Sequence, residues 1–267
     1  MKTLMKITSN LSFADYLAID AINCSGLKTV LRSPMHYLYQ KQHPSKPTPN
    51  MALGTLTHCL ALEPTTLSRD FILAPDINRR TKEGKTQWAE FQNTAKSKTI
   101  YTAEQLDLAE NMRDAILKNP VASTLLCSGK PEITLVWIDE ETDLSCKCRL
   151  DWWNPDHAIP LDLKTAQDAS KDAFGRACGN FNYHMQAAFY FDALTLAGWA
   201  PEHFVFIVVE NTAPFGVAIY EIHEQAMHAG RVKYRQALET LAECKRTETY
   251  PAYPDEIQVL ELKPWQL

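Results

Sequence analysis

At residue 131 the spacing of apolar residues changes from a helical period to a period of two, which commits the chain to a helical first half feeding a sheet. Ile133, Leu135 and Trp137 alternate with Glu132, Thr134 and Val136. Leu144, Cys146, Cys148 and Leu150 alternate with Ser145, Lys147, Arg149 and Asp151. Successive side chains on a strand point to opposite faces, so each segment predicts a strand with one buried face. Asn154-Pro155-Asp156-His157 is turn chemistry, and AIPLDLK predicts a third strand with Ile159, Leu161 and Leu163 on one face. Helices are predicted at about 170–178 and 182–197, strands in HFVFIVVE and PFGVAIYEI, and a long amphipathic helix over 223–246.

Residues 1–130 read as mainly helical. Ser25 is predicted to cap GLKTVLR, Pro34 breaks that helix, and MHYLYQK forms the next. Beyond Pro44, Pro47 and Pro49, the segment MALGTLTHCLAL at 51–62 has helical spacing and stops at Pro64. Thr102 and Gln105 form a capping box for a helix to about Asn119, and Pro120 opens another. The expected architecture is α/β or α+β, a mixed central sheet flanked by helices. One domain is expected over 1–267, with 1–130 mainly helical and 131–267 holding the sheet core and the site. A 45% hydrophobic content can fill such a core.

Composition excludes several classes. The seven cysteines are odd in number and scattered, and the lone C-x-C of Cys146 and Cys148 lacks a second pair at zinc spacing. No cysteine quartet is placed to hold an iron–sulfur cluster. There is no run of eighteen apolar residues and no secretory signature at the N-terminus, so a soluble cytoplasmic protein without membrane association is expected. A net charge of -5 argues against a protein that coats nucleic acid with its whole surface. Any DNA contact must be local. Lys28, Arg32, Lys41 and Lys46 share a segment with His36, Tyr37, Tyr39 and His43 and no acidic residue. Arg79, Arg80, Lys82 and Lys85 form a second basic cluster, expected in a loop. Basic residues among aromatics suit a phosphate backbone and exposed bases, and equally a solvated face.

The strand pair 144–153 and 158–164 carries the chemistry. If Trp153 pairs with Ala158, residue 151 lies opposite 160, and Asp151 is diagonal to Asp162 on the face that also carries Lys164. Two carboxylates and a lysine on a rigid sheet face suit phosphodiester hydrolysis. Hard oxygen ligands select magnesium, or manganese in its place, the ion polarises the phosphoryl oxygen, and the ammonium orients or deprotonates water. In the same register Arg149 faces Asp162, so an ordinary cross-strand ion pair with Asp151 as a polar strand end is the competing reading. Gln186 and Tyr190, at i and i+4 in YHMQAAFYFDAL, project from one helix face. His58 follows Gly54 by one turn, the glycine permitting close approach of another backbone, and Glu132 opens the first strand.

Taken in order, G-x-x-x-H (Gly54 to His58), Glu132, Asp151, the D-x-K of Asp162-Leu163-Lys164 and the Q-x-x-x-Y of Gln186 to Tyr190 resemble the motifs of RecB-type PD-(D/E)xK nucleases. Within that group the chain most resembles the RecE-type exonucleases, exodeoxyribonuclease VIII, of prophages. SGLKTVLRSPMHYLY, LGTLTHCLALEP, RRTKEGKTQW and LDLKTA carry the likeness across most of the chain. The resemblance implies a nuclease that digests one strand of linear duplex DNA from the 5′ end and leaves a 3′ overhang for a RecT-like annealing protein. It also implies a ring-shaped homo-oligomer around the DNA. Carried over by residue, Asp151 and Asp162 look like metal ligands, Lys164 like the catalytic lysine, and His58 like the histidine at the metal, with Glu132 as an acidic partner. Gln186 and Tyr190 match the helix motif. The second acid is Asp where many members have Glu. A related endonuclease, a CRISPR-associated exonuclease, and an inactive fold that only binds DNA or a partner are the alternatives.

Overall fold

The computed structural model describes residues 5–262, except 10, 46, 96 and 97. The period change at 131 is where the main sheet is laid down. Before it come β1 (Met5–Thr8), α1 (Phe13–Ala18), α2 (Cys24–Arg32), α3 (Pro34–Gln42), α4 (Pro49–Leu62), α5 (Leu67–Asp70), β2 (Phe71–Leu73), α6 (Lys82–Ala95), β3 (Thr99–Tyr101), α7 (Ala103–Lys118) and α8 (Pro120–Leu126). After it come β4 (Lys130–Ile138), β5 (Ser145–Asn154), β6 (Ile159–Ala166), α9 (Lys171–Asn180), α10 (Tyr183–Leu196), β7 (Val205–Glu210), β8 (Val217–Glu221) and α11 (Glu224–Thr247). The sheet runs in the order β1-β4-β5-β6-β7-β8, antiparallel throughout except for β6 and β7. That parallel pair needs a crossover, which α9 and α10 supply. The expected mixed sheet flanked by helices is the observed one.

Helices cover both faces. Leu27 and Val30 of α2, Met185 and Phe189 of α10, and Leu238 and Leu241 of α11 pack on one side with Leu135, Cys148, Leu150, Phe206 and Val208. On the other side Leu62 of α4, Met112 and Ile116 of α7 and Ala122 of α8 pack against Leu161, Leu163, Val205, Ile207 and Val209. β7 is therefore buried on both faces, which is why HFVFIVVE reads as a continuous apolar run.

Several local expectations change. Asn23 caps α2 in place of Ser25, its side chain accepting the Gly26 amide at 2.8 Å. β1 was not legible in the helical half, nor were β2 and β3, which form a separate two-stranded parallel sheet. Arg79 and Arg80 lie in a turn as expected, but Lys82 and Lys85 belong to the first turns of α6. Lys46 lies outside the described residues. Gly54 admits no close backbone, since a Cβ there would meet only Thr165 Oγ1 at 3.5 Å, an ordinary contact. The N-terminal arm is tied down by Lys147, whose ammonium donates to the carbonyls of Tyr16, Leu17 and Ile19 at 2.8, 3.2 and 2.7 Å. Among the described residues no helix is long and apolar enough to cross a membrane.

Candidate active site

The site lies where two strands part. The β5–β6 ladder consists of Asn154↔Ile159, Trp153↔Pro160 and Trp152↔Leu161. Trp153 thus faces Pro160, not Ala158. Asn154 causes the shift: its side chain accepts the Asp156 and His157 amides at 3.0 Å each, and Ala158 takes a left-handed φ of 51° that closes the turn. Beyond the last rung the strands diverge, β5 staying with β4 and β6 with β7. The next residue on each is an acid, Asp151 on β5 and Asp162 on β6. They stand across the fork from each other instead of on a diagonal.

Divergence leaves the Leu163 amide without a strand partner, and Asp151 supplies one, its Oδ2 accepting that N–H at 2.8 Å. The neighbouring ladder also breaks here. Glu132 adopts φ 52° between the pairs Pro131↔Trp152 and Ile133↔Leu150. A left-handed non-glycine residue in a strand is a local cost of about 1–3 kcal/mol, a kind of strain that clusters at functional sites. The faces swap at this point: Leu150 and Trp153 both pack on the α10 side, while Trp152 turns to the other.

Helices from both layers reach the fork. α4 brings His58, whose Nδ1 lies 3.5 Å from Asp151 Oδ2. One ligand atom from each of His58, Glu132 and Asp151 lies within 4.8 Å of the other two. α10 brings Gln186, whose amide donates to Asp162 Oδ1 at 2.5 Å. Lys164 is ion-paired with Asp162 Oδ2 and lies 4.8 Å from the centre of the Tyr183 ring. Asp162 is only 1% exposed, so the sheet face that carries it is covered. Tyr190, one turn after Gln186, lines the cleft of about 1230 Å³ that opens over Asp151, Glu132, His58 and Lys164.

Burial drives the carboxyl of Glu132 up to about 8, with Asp151 and Glu63 adding repulsion and Arg149 opposing it. Burial likewise raises Asp162 to about 6, partly offset by Lys164. Burial disfavours the Lys164 ammonium, but Asp162 and Asp151 outweigh it and hold its pKa above the ordinary value. Carboxylates that repel one another in a desolvated pocket are what a cation would neutralise. Oxygen donors with one imidazole fit a hard divalent ion, magnesium or manganese, better than a thiolate-seeking one. His58, Glu132 and Asp151 are the residues that would hold it, with Asp162 at the adjoining edge.

The competing cross-strand pair does not form. Arg149 faces Thr134 in the ladder and is ion-paired with Glu132, lies 3.9 Å from Glu63 and sits under the Phe13 ring at 5.5 Å. The sequence placed Arg149 only in that ion pair and gave no role to Glu63, Tyr183, Phe13 or Phe181; all five line the cleft. Only Arg149 carried a usable signal, being two residues before Asp151 on the same strand. The basic residues fall elsewhere. Arg32, Arg79, Arg80 and Lys82 are exposed and do not line the cleft, and Lys28 sits behind it against Gln186. Tyr39 and His43 stack at 4.3 Å at the C-terminal end of α3, also outside the cleft.

The fold is similar to that in the crystal structure of "Putative exonuclease" from Eubacterium rectale, with a TM-score of 0.65 and 12% identity over 97% of each chain. At that identity the likeness shows the fold alone. A phage related exonuclease from Haemophilus somnus matches 88% of this chain and 100% of its own, at 12% identity and a TM-score of 0.36, too loose to carry weight. No curated protein sequence matches the chain. The PD-(D/E)xK nuclease fold inferred from the ordered motifs is nevertheless the one observed, and a family profile spans it: residues 23–263 match the PDDEXK-like domain of unknown function (DUF3799), and the chain belongs to that family.

Proposed function

We propose that the protein is a magnesium-dependent exodeoxyribonuclease that hydrolyses phosphodiester bonds from the ends of linear double-stranded DNA. One observation carries the reading: at the β5–β6 fork, Asp151, Asp162 and Lys164 converge with His58 and Glu132 under a single open cleft. A divalent ion at His58, Glu132 and Asp151 would polarise a phosphoryl oxygen and lower the pKa of water. The chain's own residues do the rest. Lys164, held charged by two carboxylates, presents an ammonium to the cleft, where it orients an attacking water and offsets phosphate charge. Gln186 and Lys164 fix both oxygens of Asp162, so its carboxylate cannot rotate away. Phe13 and Phe181 offer exposed rings at the same cleft on which bases can stack.

The direction of digestion, 5′ to 3′ with a 3′ overhang left for a RecT-like annealing protein, rests on the resemblance to RecE-type exonucleases. So does the homo-oligomeric ring, in which Arg79, Arg80, Lys82 and Arg32 on the outer surface of one copy would come to line a shared channel. The experiment is digestion of linear and covalently closed circular duplex of one sequence, with and without magnesium, using strands labelled at either end. Magnesium-dependent loss of linear DNA alone, with the 5′ label released first, is expected. Cutting of the circle would make the protein an endonuclease. No cutting of either, with DNA still bound, would make it an inactive member of the fold.

A further inference from the structure

Lys28 was expected to grip phosphate, yet it does not line the cleft. It projects from α2 beneath the N-terminal turns of α10, with its ammonium 3.5 Å from Gln186 Oε1 and 5.4 Å from the centre of the Tyr183 ring. We propose that Lys28 is a positioning residue for Asp162, acting through the side-chain amide of Gln186. The inference rests on the reading of Asp162 as part of the nuclease centre.

An amide has two unlike ends, and only its NH2 end can donate to a carboxylate. Gln186 donates to Asp162 Oδ1 at 2.5 Å, which places its carbonyl end toward α2. Lys28 meets that carbonyl with three donors and no acceptor, so the opposite orientation would set NH2 against NH3+ on one side and carbonyl against carboxylate on the other. The ammonium therefore holds the amide in the one orientation useful to Asp162. Asp162 is 1% exposed and cannot turn to water for a replacement donor. Lys164 takes the other oxygen, and both lysines also approach the Tyr183 ring, so Lys28, Gln186, Asp162, Lys164 and Tyr183 form one contiguous cluster. Three elements supply it: α2, α10 and β6.

Lys28→Met removes the donor and keeps the aliphatic stem, Lys28→Arg restores a donor, and Lys28→Gln is a polar substitute should the methionine variant not fold. Circular dichroism and thermal unfolding check the fold. Outer partners that orient a metal ligand are typically worth about 10- to 100-fold in activity or metal affinity. The expected result is a fall of that size in kcat for Lys28→Met with KM for DNA unchanged, and partial recovery in Lys28→Arg. Calorimetric titration with manganese, without DNA, should show weakened binding in Lys28→Met. In a Gln186→Leu background, Lys28→Met should add nothing further, because its effect passes through Gln186. A raised KM with kcat intact and a shallower salt dependence of DNA binding would overturn the proposal and make Lys28 a phosphate contact. Full additivity with Gln186→Leu would overturn it too. If wild type cuts no DNA, the nuclease reading fails, and the manganese titrations alone decide on Lys28: unchanged affinity in Lys28→Met overturns its positioning role.

Discussion

Asp151 and Asp162 face each other across the fork between β5 and β6, each being the first residue beyond the last rung that joins the two strands. Only Asp162 is fully buried there, and Lys164 is its counter-charge. The two partners therefore differ in what their removal costs. Asp162→Asn leaves the Lys164 ammonium, 17% exposed, with Asp151 as a remaining carboxylate, so its stability cost should be the smaller of the two while cleavage is lost. Lys164→Ala leaves that carboxylate without compensation and should cost about 3 kcal/mol at pH 7 as well as abolishing cleavage. A carboxyl with a raised folded pKa binds a proton more readily in the folded state, so stability falls as pH rises toward that pKa. Lowering the pH from 7 to 5 should then narrow the deficit of Lys164→Ala. Urea unfolding in EDTA at both pH values measures this, and a deficit that widens at pH 5 would contradict the buried-charge account.

Asp151 has two tasks, which two substitutions separate. Asp151→Asn keeps an oxygen that can accept the Leu163 amide but loses the negative charge a cation needs. Manganese affinity should drop by 10-fold or more, on the order expected for loss of one charged ligand, with thermal stability near wild type. Asp151→Leu removes both functions and should also leave the buried amide unsatisfied, at about 1–3 kcal/mol. Equal stability of the two variants would mean that the fork does not depend on that hydrogen bond.

The sequence carried the period of each strand, the order of the elements after residue 131 and the acids on β5 and β6. It did not carry their register. A two-residue error in the β5–β6 register followed from treating Asn154 as part of the turn, when its side chain closes the turn from the strand end. Burial of Asp162 was also out of reach, because alternation assigns it to the face opposite Leu161 and Leu163, and only the packing of α2 and α10 shows that this face too is covered. His58 and Gln186 were found through their spacing to Gly54 and Tyr190, yet the glycine has no spatial reason to be one. Lys28 illustrates the limit of charge reading: a basic residue beside aromatics looks the same in sequence whether it meets a phosphate or a glutamine.

At the other end of the sheet, Asp139 ties β4 to α11. It accepts hydrogen bonds from Arg235, from the Thr142 hydroxyl at 2.6 Å and from the Thr142 amide at 3.0 Å. Burial opposes its charge, but these donors outweigh it and hold its pKa below the ordinary 3.8. Such a depressed carboxyl stabilises the fold above its ordinary pKa, and the contribution is lost as pH falls through the lower folded value. Asp139→Asn should cost about 2 kcal/mol at pH 7, where a partly buried Arg235 loses its buried counter-ion and keeps only the exposed Glu141. The gap between variant and wild type should close as pH falls through the depressed folded value. Chemical denaturation across that range tests it, and a gap independent of pH would assign the loss to geometry rather than charge.

The last prediction concerns the arm that carries the RRTKEGK cluster. α6 buries only Gly84 and Ala95 among its described residues, and its aromatic pair, Trp88 and Phe91 at 5.3 Å, is capped by Arg79, whose guanidinium lies 4.4 Å from the centre of the Trp88 ring. A helix of that length with so little burial draws little stability from packing, so it should open readily when free and gain order when something covers it. The concentration of Arg79, Arg80, Lys82 and Lys85 makes a phosphate backbone the expected cover. Hydrogen exchange over 79–95 should therefore slow on addition of linear duplex in calcium, without turnover. An Arg79→Ala/Arg80→Ala variant should lose that protection, flatten the dependence of affinity on salt by about two phosphate contacts, and digest shorter stretches per binding event while its manganese affinity stays at the wild-type value. Protection that appears with protein concentration alone, before any DNA is added, would assign α6 to contact between copies of the chain, and the arginines would then have no part in the DNA track.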